Sequence, residues 1–80
     1  DKMFQQVQKV IAEQLNIDVD RVKPESRLIE DLEADSLDVV ELVTELEMNY
    51  DIEIPDEAMT TLATVQDVVN YIEANKKERV

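Results

Sequence analysis

Apolar side chains recur three and four positions apart along much of the chain, which is the spacing of an amphipathic helix. The spacing predicts an all-α fold: a small four-helix bundle with three main helices, one short helix and a long loop after the first. The predicted helices run over residues 2–15, from Asp35 to about Asn49, over about 56–61, and from Val65 to near Lys76 and Lys77. No composition shift or linker divides the chain, so residues 1–80 are predicted to form a single domain.

The apolar positions of the first and last helices are expected to face one core. They are Phe4, Val7, Val10, Ile11 and Leu15 in the first helix, and Val65, Val68, Val69 and Ile72 in the last. The loop over residues 17–32 contains Pro24 and lacks helical spacing, so its own apolar residues are expected to pin it to that core. These residues are Val19, Val22, Leu28, Ile29 and Leu32.

Polar residues mark where the helices begin. Asp35 is predicted to cap the second helix by accepting a hydrogen bond from a backbone N–H group two or three residues further on. Asp56 is predicted to cap the third helix in the same way. Thr64 and Asp67 have the spacing of a capping box, which predicts that the last helix begins between them.

The composition removes most routes to catalysis. The 80 residues include no Cys, no His and no Gly, which excludes cysteine nucleophiles, the commonest general base and glycine-rich phosphate loops. Without glycine, another residue must adopt the left-handed backbone that ends a helix, and Asn16 and either Asn49 or Asp51 are expected to do so. The sequence therefore predicts a protein that is not an enzyme.

Negative charge is concentrated in the middle of the chain. The formal net charge is −12, and 12 of the 20 acidic residues lie between Glu30 and Glu57, a stretch without a basic residue. Such a surface repels nucleic acid and anionic lipids and attracts basic protein surfaces, although a simple solvated helix face is the plain alternative. No apolar run is long enough to span a membrane.

Ser36 follows the predicted cap of the second helix, so it would occupy the first helical position with its hydroxyl exposed. The free N–H groups and the dipole at a helix start favour an attached anion, such as a phosphodiester. No His or Lys lies near Ser36 in sequence to accept its proton, so it is not a self-activated nucleophile. From position alone, an ordinary serine at a helix start is the leading interpretation, and Ser26 lacks even this setting.

Three segments of the chain resemble the signatures of the acyl carrier proteins. The run EDLEADSLD, from Glu30 to Asp38, is similar to the sequence around the modified serine of that family. The runs DIEIPDE, over 51–57, and VVNYIE, over 68–73, lie at matching distances. The resemblance covers essentially the full chain and is greatest to the free-standing carriers of fatty acid synthesis, which implies one acyl-carrier domain over residues 1–80.

The resemblance implies a carrier of acyl groups. A phosphopantetheinyl transferase would move 4′-phosphopantetheine from coenzyme A onto Ser36, and the thiol of that arm would hold acyl groups as thioesters. Enzymes of fatty acid synthesis would dock on the second helix through basic patches of their own, and the acyl chain would shelter between the helices. The implied docking residues are Asp35, Leu37, Asp38, Val40, Glu41, Glu47 and Asp56. The implied acyl-pocket residues are Leu46, Ile54, Ala58, Met59, Leu62 and Val68.

Two positions depart from the family pattern. Glu33 stands where the family usually has Gly, and its backbone would cost on the order of 1 kcal/mol if φ there is positive. Thr44 stands where many members have Met, on the side of the second helix that faces partners. The second departure implies that this chain can prefer other partner enzymes than the family members that have Met at this position.

Other interpretations remain open at this point. The carrier could serve a polyketide or another specialised pathway, or the chain could be an acidic interaction module whose Ser36 is never modified. Asn16, Asp18 and Asp20 have the spacing of an EF-hand start, but Arg21 replaces its glycine, so loose divalent binding without a specific metal site is expected. The protein is predicted to be a cytoplasmic monomer, with an organellar carrier that has lost its leader as the alternative.

Overall fold

The computed structural model describes residues 2–75, and within them the chain forms four α-helices and one short 3-10 turn. Helix α1 spans Lys2–Leu15, the 3-10 turn Val19–Arg21, α2 Ser36–Tyr50, α3 Asp56–Met59 and α4 Val65–Asn75. The predicted all-α bundle of three main helices and one short helix is confirmed. Lys76 and Lys77, near which the last helix is predicted to end, lie outside the described residues.

One hydrophobic core joins the helices, because α1 packs against both α2 and α4. Val7 and Ile11 of α1 are fully buried, as the spacing predicts. Met3 and Ala12 are also buried, which the sequence analysis did not predict, because α1 faces two neighbouring helices and its buried stripe is wider on that side. The other predicted residues of α1 are only partly buried: Phe4, Val10 and Leu15. In α4 all four predicted core residues are buried: Val65, Val68, Val69 and Ile72.

The loop between α1 and α2 is anchored at three of its five predicted positions. Val22, Leu28 and Leu32 are buried, whereas Val19 and Ile29 are exposed, by 43% and 62%. Val19 begins the 3-10 turn, and Ile29 lies in a turn that is closed by hydrogen bonds to the Arg27 carbonyl. Tight turns point successive side chains in different directions, so apolar character alone predicted the burial of Val19 and Ile29 wrongly.

Within residues 2–75, three non-glycine residues have the left-handed backbone, and each ends or precedes a structural element. Asn16 follows α1 with φ of 57°, and Asp51 follows α2 with φ of 54°. Both were predicted to adopt this conformation, whereas Asn49, the alternative to Asp51, lies inside α2. Glu33 has φ of 61°, so the position where the family usually has Gly does require a positive φ.

The short helix α3 differs from its prediction at both ends. Asp56 is its first residue rather than its cap, because Pro55 occupies the cap position and makes no side-chain hydrogen bond there. The helix ends at Met59, two residues earlier than expected. The start of α4 agrees with its prediction: the Asp67 N–H donates to Thr64 Oγ1, and the Thr64 N–H donates to Asp67 Oδ2, both at 3.1 Å.

Candidate functional site

Ser36 is the first residue of α2, and it is exposed. The two acidic residues around it form a reciprocal capping box, which confirms the predicted cap at Asp35. The Asp38 N–H donates to Asp35 Oδ1 at 2.9 Å, and the Asp35 N–H donates to Asp38 Oδ2 at 3.2 Å. The capping box therefore holds the helix start in one conformation while the Ser36 hydroxyl faces solvent.

The turn over residues 27–31 leads toward Ser36 and is held by charged groups. The Arg27 N–H donates to Asp31 Oδ2 at 2.8 Å, and this bond lowers the pKa of the Asp31 carboxyl below its usual value. The Arg27 guanidinium contacts Glu30 Oε2 at 2.6 Å and Asp31 Oδ2 at 3.4 Å. The loop segment from residue 28 to Asp35 is then fixed against the core by three buried side chains, those of Leu28, Leu32 and Ala34.

Backbone hydrogen bonds tie this loop to the start of α4. The Leu28 N–H donates to the Ala63 carbonyl, and the Val65 N–H donates to the Ser26 carbonyl, both at 3.0 Å. Ser26 is buried, and its hydroxyl accepts from the Lys23 N–H at 3.0 Å. Ser26 is thus a structural residue, in contrast to the exposed Ser36.

A cavity of about 270 Å³ lies between this loop and the α3–α4 segment. Residues 27–30 form one wall, and Val39, one turn after Ser36, also lines the cavity. The other wall consists of Met59, Thr60, Leu62 and Ala63. Of the six implied acyl-pocket residues, Met59 and Leu62 line this cavity. The other four do not line it: Leu46, Ile54 and Val68 are buried core residues and Ala58 is half-buried.

The implied docking residues lie mostly on the surface. Leu37 is 64% exposed and Val40 is 49% exposed. The acidic members of the set are exposed at Asp35, Glu41 and Asp56 and half-buried at Asp38 and Glu47. The structure therefore brings exposed apolar and acidic side chains together along α2, close to Ser36.

Glu47 has a structural role that the sequence analysis missed. Its Oε2 atom accepts from the Ile54 N–H at 2.7 Å, and its backbone carbonyl accepts from the Ile52 N–H at 3.3 Å. These bonds hold the link between α2 and α3, so the Glu47 carboxylate is less free to meet a partner than the exposed acids are. The six residues between Glu47 and Ile54 have no regular pattern that would indicate this contact.

Met48 is the other functional candidate that the sequence analysis missed. It is 68% exposed on α2, and its spacing of eight residues from Val40 places both on one face of the helix. That spacing is visible in the sequence. Continuing the exposed positions beyond Val40 would have found it.

The surroundings of Ser36 fit a covalently attached phosphodiester. The hydroxyl is exposed at the end of α2 where the first N–H groups lack intrahelical partners, and the helix dipole favours an anion there. The nearby carboxylates of Asp35 and Asp38 each accept a backbone N–H, so their charge is partly satisfied. In residues 2–75, no three acidic side chains come together as metal ligands, and no helix is long and apolar enough to cross a membrane.

A helical bundle with an exposed, capped serine at the start of α2, and with a cavity that Val39 of the same helix lines, is compatible with a prosthetic group attached to that serine. Residues 5–72 match the model of the family described as the phosphopantetheine attachment site. Proteins of this family hold 4′-phosphopantetheine covalently and are carriers rather than enzymes.

The relatives narrow this class further. The acyl carrier protein of Helicobacter hepaticus (strain ATCC 51449 / 3B1) is 63% identical over 73 residues, which is 91% of this chain and 96% of that protein. The acyl carrier protein of Campylobacter lari (strain RM2100 / D67 / ATCC BAA-1060) is 57% identical over 75 residues, which is 94% of this chain and 97% of that protein. The chain belongs to the phosphopantetheine attachment-site family and, within it, to the acyl carrier proteins.

A solved structure is similar in fold. It is the solution structure of the apo doublet acyl carrier protein from prodigiosin biosynthesis, with a TM-score of 0.83. The match covers 96% of this chain and 37% of the doublet, at 19% sequence identity. This likeness supports the four-helix fold and nothing beyond it.

Proposed function

We propose that this protein carries acyl intermediates of fatty acid synthesis on a 4′-phosphopantetheine arm attached to Ser36. The observation that carries the proposal is the exposed Ser36 hydroxyl at the start of α2, between the two carboxylates of a closed capping box. The terminal thiol of the arm supplies the thioester chemistry that a chain without Cys lacks. The match covers 96% and 97% of two curated relatives, so each of those relatives consists of little more than this one carrier domain.

Attachment of the arm requires little of the protein itself. The Ser36 oxygen forms a bond to the phosphorus of coenzyme A, the pyrophosphate bond breaks, and adenosine 3′,5′-bisphosphate leaves. The chain has no His, so we assign the base that takes the hydroxyl proton to the phosphopantetheinyl transferase. The role of α2 is to hold the hydroxyl exposed and to favour the resulting anion through its dipole.

Docking on partner enzymes is proposed to use the exposed side of α2. Leu37 and Val40 provide apolar contact, and exposed acids provide attraction for basic patches. The proposed acidic residues are Asp35, Asp38, Glu41, Glu47 and Asp56. Exposed ion pairs contribute only about 0–1 kcal/mol each, so the carrier can leave each enzyme after one step. Affinity for a ketosynthase should therefore fall steeply with salt, and an unchanged affinity would contradict this surface.

The acyl chain is proposed to enter the cavity between residues 27–30 and 59–63. Val39, Met59 and Leu62 offer apolar contact at this cavity, and Ala58 lies beside it in α3. Leu46, Ile54 and Val68 belong to the buried core, which must yield for longer chains. A core without aromatic residues among its fully buried members can adjust to this more easily.

The attachment is tested by intact mass. The protein is incubated with coenzyme A and a phosphopantetheinyl transferase, and a gain of one phosphopantetheine is expected. Ser36→Ala should abolish the gain in mass. This variant keeps Ser26, so it also shows whether another serine hydroxyl can be modified. No gain with several competent transferases would instead favour an acidic interaction module whose serine is never modified.

The proposal also covers the number of domains, the oligomeric state, the cellular location and the pathway. We propose that residues 1–80 act as one carrier domain and as a monomer, which the single core in residues 2–75 supports. The bacterial origin of the relatives supports a cytoplasmic location over an organellar one. A polyketide or other specialised pathway remains the alternative, and it is distinguished by which synthase accepts the loaded carrier.

A further inference from the structure

The cavity wall that includes α3 has few hydrogen bonds of its own to hold it in place. α3 is four residues long, Asp56–Met59, and Pro55 at its cap position makes no side-chain hydrogen bond. A helix this short is marginal without outside contacts, because the first helical turn fixes several residues for one hydrogen bond. The position of Met59, which lines the cavity, therefore depends on what holds the two ends of the segment.

The C-terminal end of this wall is fixed to the wall opposite. The Ala63 carbonyl accepts from the Leu28 N–H at 3.0 Å, and Ala63 and Leu28 both line the cavity. The Leu62 side chain, also part of the lining, is buried. This end of the wall therefore stays with the loop that leads to Ser36.

The N-terminal end is held by a carboxylate of α2. Glu47 Oε2 accepts from the Ile54 N–H at 2.7 Å. Ile54 is buried and precedes a proline, which disfavours helical backbone at this residue, and its N–H lies outside the helices. Loss of the carboxylate would leave this part-buried N–H without its acceptor, which is unfavourable.

A short path connects this hydrogen bond to the cavity. Pro55 follows Ile54, and the Pro55 carbonyl accepts from the N–H of the cavity residue Met59 at 3.1 Å. The Glu53 carbonyl also accepts from the Tyr71 hydroxyl, but that bond is longer, at 3.3 Å, and lies one residue further from α3. The carboxylate on α2 thus fixes the residue from which the cavity wall begins.

We propose that Glu47 is a positioning residue of the acyl cavity: its hydrogen bond to Ile54 keeps α3 in place as a wall and so keeps a bound acyl chain sheltered from water. The inference rests on the proposed function and goes further, because it gives Glu47 a part in retaining the chain. This role depends on the reach of the side-chain oxygen and not on its charge. A glutamine amide oxygen can accept the same N–H, whereas the shorter side chain of aspartate falls short of it.

Three variants separate reach from charge. Glu47→Asp keeps the charge and shortens the side chain, whereas Glu47→Gln keeps the length and the acceptor and removes the charge. Glu45→Asp is the matched control, because Glu45 is also half-buried on α2 but lines the groove against α1. It makes the same chemical change in the same helix, so it carries the same loss of helix propensity.

Hydrogen exchange of backbone amides, measured by NMR in the apo chain, reports on the hydrogen bond directly. In Glu47→Asp the amides of Ile54 and Met59 should exchange about tenfold faster, because a bond to a charged acceptor is lost. Glu47→Gln should stay within about threefold of the original chain, and Glu45→Asp within about twofold. The Ile11 amide in α1 is the internal reference, and an equal acceleration there would overturn a local role.

Protection of a loaded acyl group measures the consequence. A transferase loads Ser36 from octanoyl- or acetyl-coenzyme A and is removed, and hydroxylamine then attacks the thioester carbonyl, which gives a hydroxamate and the free thiol. In Glu47→Asp the octanoyl thioester should react about threefold to tenfold faster, because α3 leaves its place for a larger fraction of the time. The acetyl thioester should change by less than about twofold, because it has no long apolar chain to shelter.

The outcomes separate this inference from the proposed function. A Glu47→Asp variant that protects the octanoyl thioester as well as the original chain overturns the inference. An equal loss of protection in Glu47→Gln also overturns it, because charge would then be the cause, and so does an equal loss in Glu45→Asp or an equal acceleration of the acetyl thioester. Failure of every transferase to load Ser36 would instead overturn the proposed function, and exchange in the apo chain would still decide whether Glu47 positions α3.

Discussion

Replacement of Glu33 by glycine tests how the loop before Ser36 accommodates its backbone. Glu33 is exposed and has φ of 61°, in the left-handed region that a side chain with Cβ disfavours. Its side chain makes no hydrogen bond or ion pair with any other residue in the described range 2–75. The substitution therefore changes the backbone preference and one charge, and it removes no hydrogen bond or ion pair.

The expected effect is a modest stabilisation. Relief of the left-handed strain gains about 1–2 kcal/mol, and the greater freedom of glycine in the unfolded chain costs about 0.5–1 kcal/mol. The net gain of about 0.5–1 kcal/mol should raise Tm by about 2–8 °C, because about 1 kcal/mol corresponds to 4–8 °C in a domain of this size. Asn16→Gly should gain less, because Asn tolerates the same conformation better.

Thermal denaturation followed by circular dichroism measures this difference, with reversibility checked on cooling. Glu33→Gln is the essential control, because it removes the charge from an acidic surface but keeps Cβ. If Glu33→Gln stabilises the protein as much as Glu33→Gly, charge repulsion and not backbone strain is the cause. A lower Tm for Glu33→Gly would refute the strain argument directly.

The capping box, the Asp31 contact and the surface charge lead to the remaining predictions. Asp35→Ala should lower the free energy of unfolding in urea by about 1 kcal/mol, whereas Asp18→Ala, at a cap position without a side-chain hydrogen bond, should not. Asp31→Asn should lower Tm at neutral pH. Because Arg27 lowers the folded pKa of Asp31, its contribution is complete above the ordinary value of 3.8 and is lost as pH falls through the folded value, so the difference in Tm should vanish in acid. Millimolar Mg²⁺ should raise Tm by reducing repulsion within a chain of net charge −12, and an unchanged Tm would contradict this.

Local rules account for the parts of the fold and site that were predicted correctly. The bounds of α1 and α2, the cap at Asp35 and the capping box at α4 depend on residues no more than four apart, which periodicity and capping preferences describe well. The exposure of Ser36 follows from its place just after that cap. The family resemblance then assigns this serine a chemical role that position alone does not.

The wrong predictions, by contrast, arise where the preference of a single residue was taken to decide the local structure. Asp56 was predicted as a cap because acids favour that position, but Pro55 takes the cap position and Asp56 is itself the first residue of α3. Val19 and Ile29 were predicted to be buried because they are apolar, but the turns that contain them face solvent. In each case the conformation of the surrounding backbone, and not the preference of the single residue, decides the outcome.

The sequence by itself determined that this chain is an acidic all-α carrier with one candidate serine, because helix spacing, caps and family signatures are properties of short segments. Only the tertiary structure decided which segments meet. The cavity forms because the Leu28 N–H pairs with the Ala63 carbonyl, 35 residues further on, and Glu47 is held by Ile54 across the α2–α3 link. Contacts between segments far apart in sequence depend on how the whole core packs, so no local pattern specifies them.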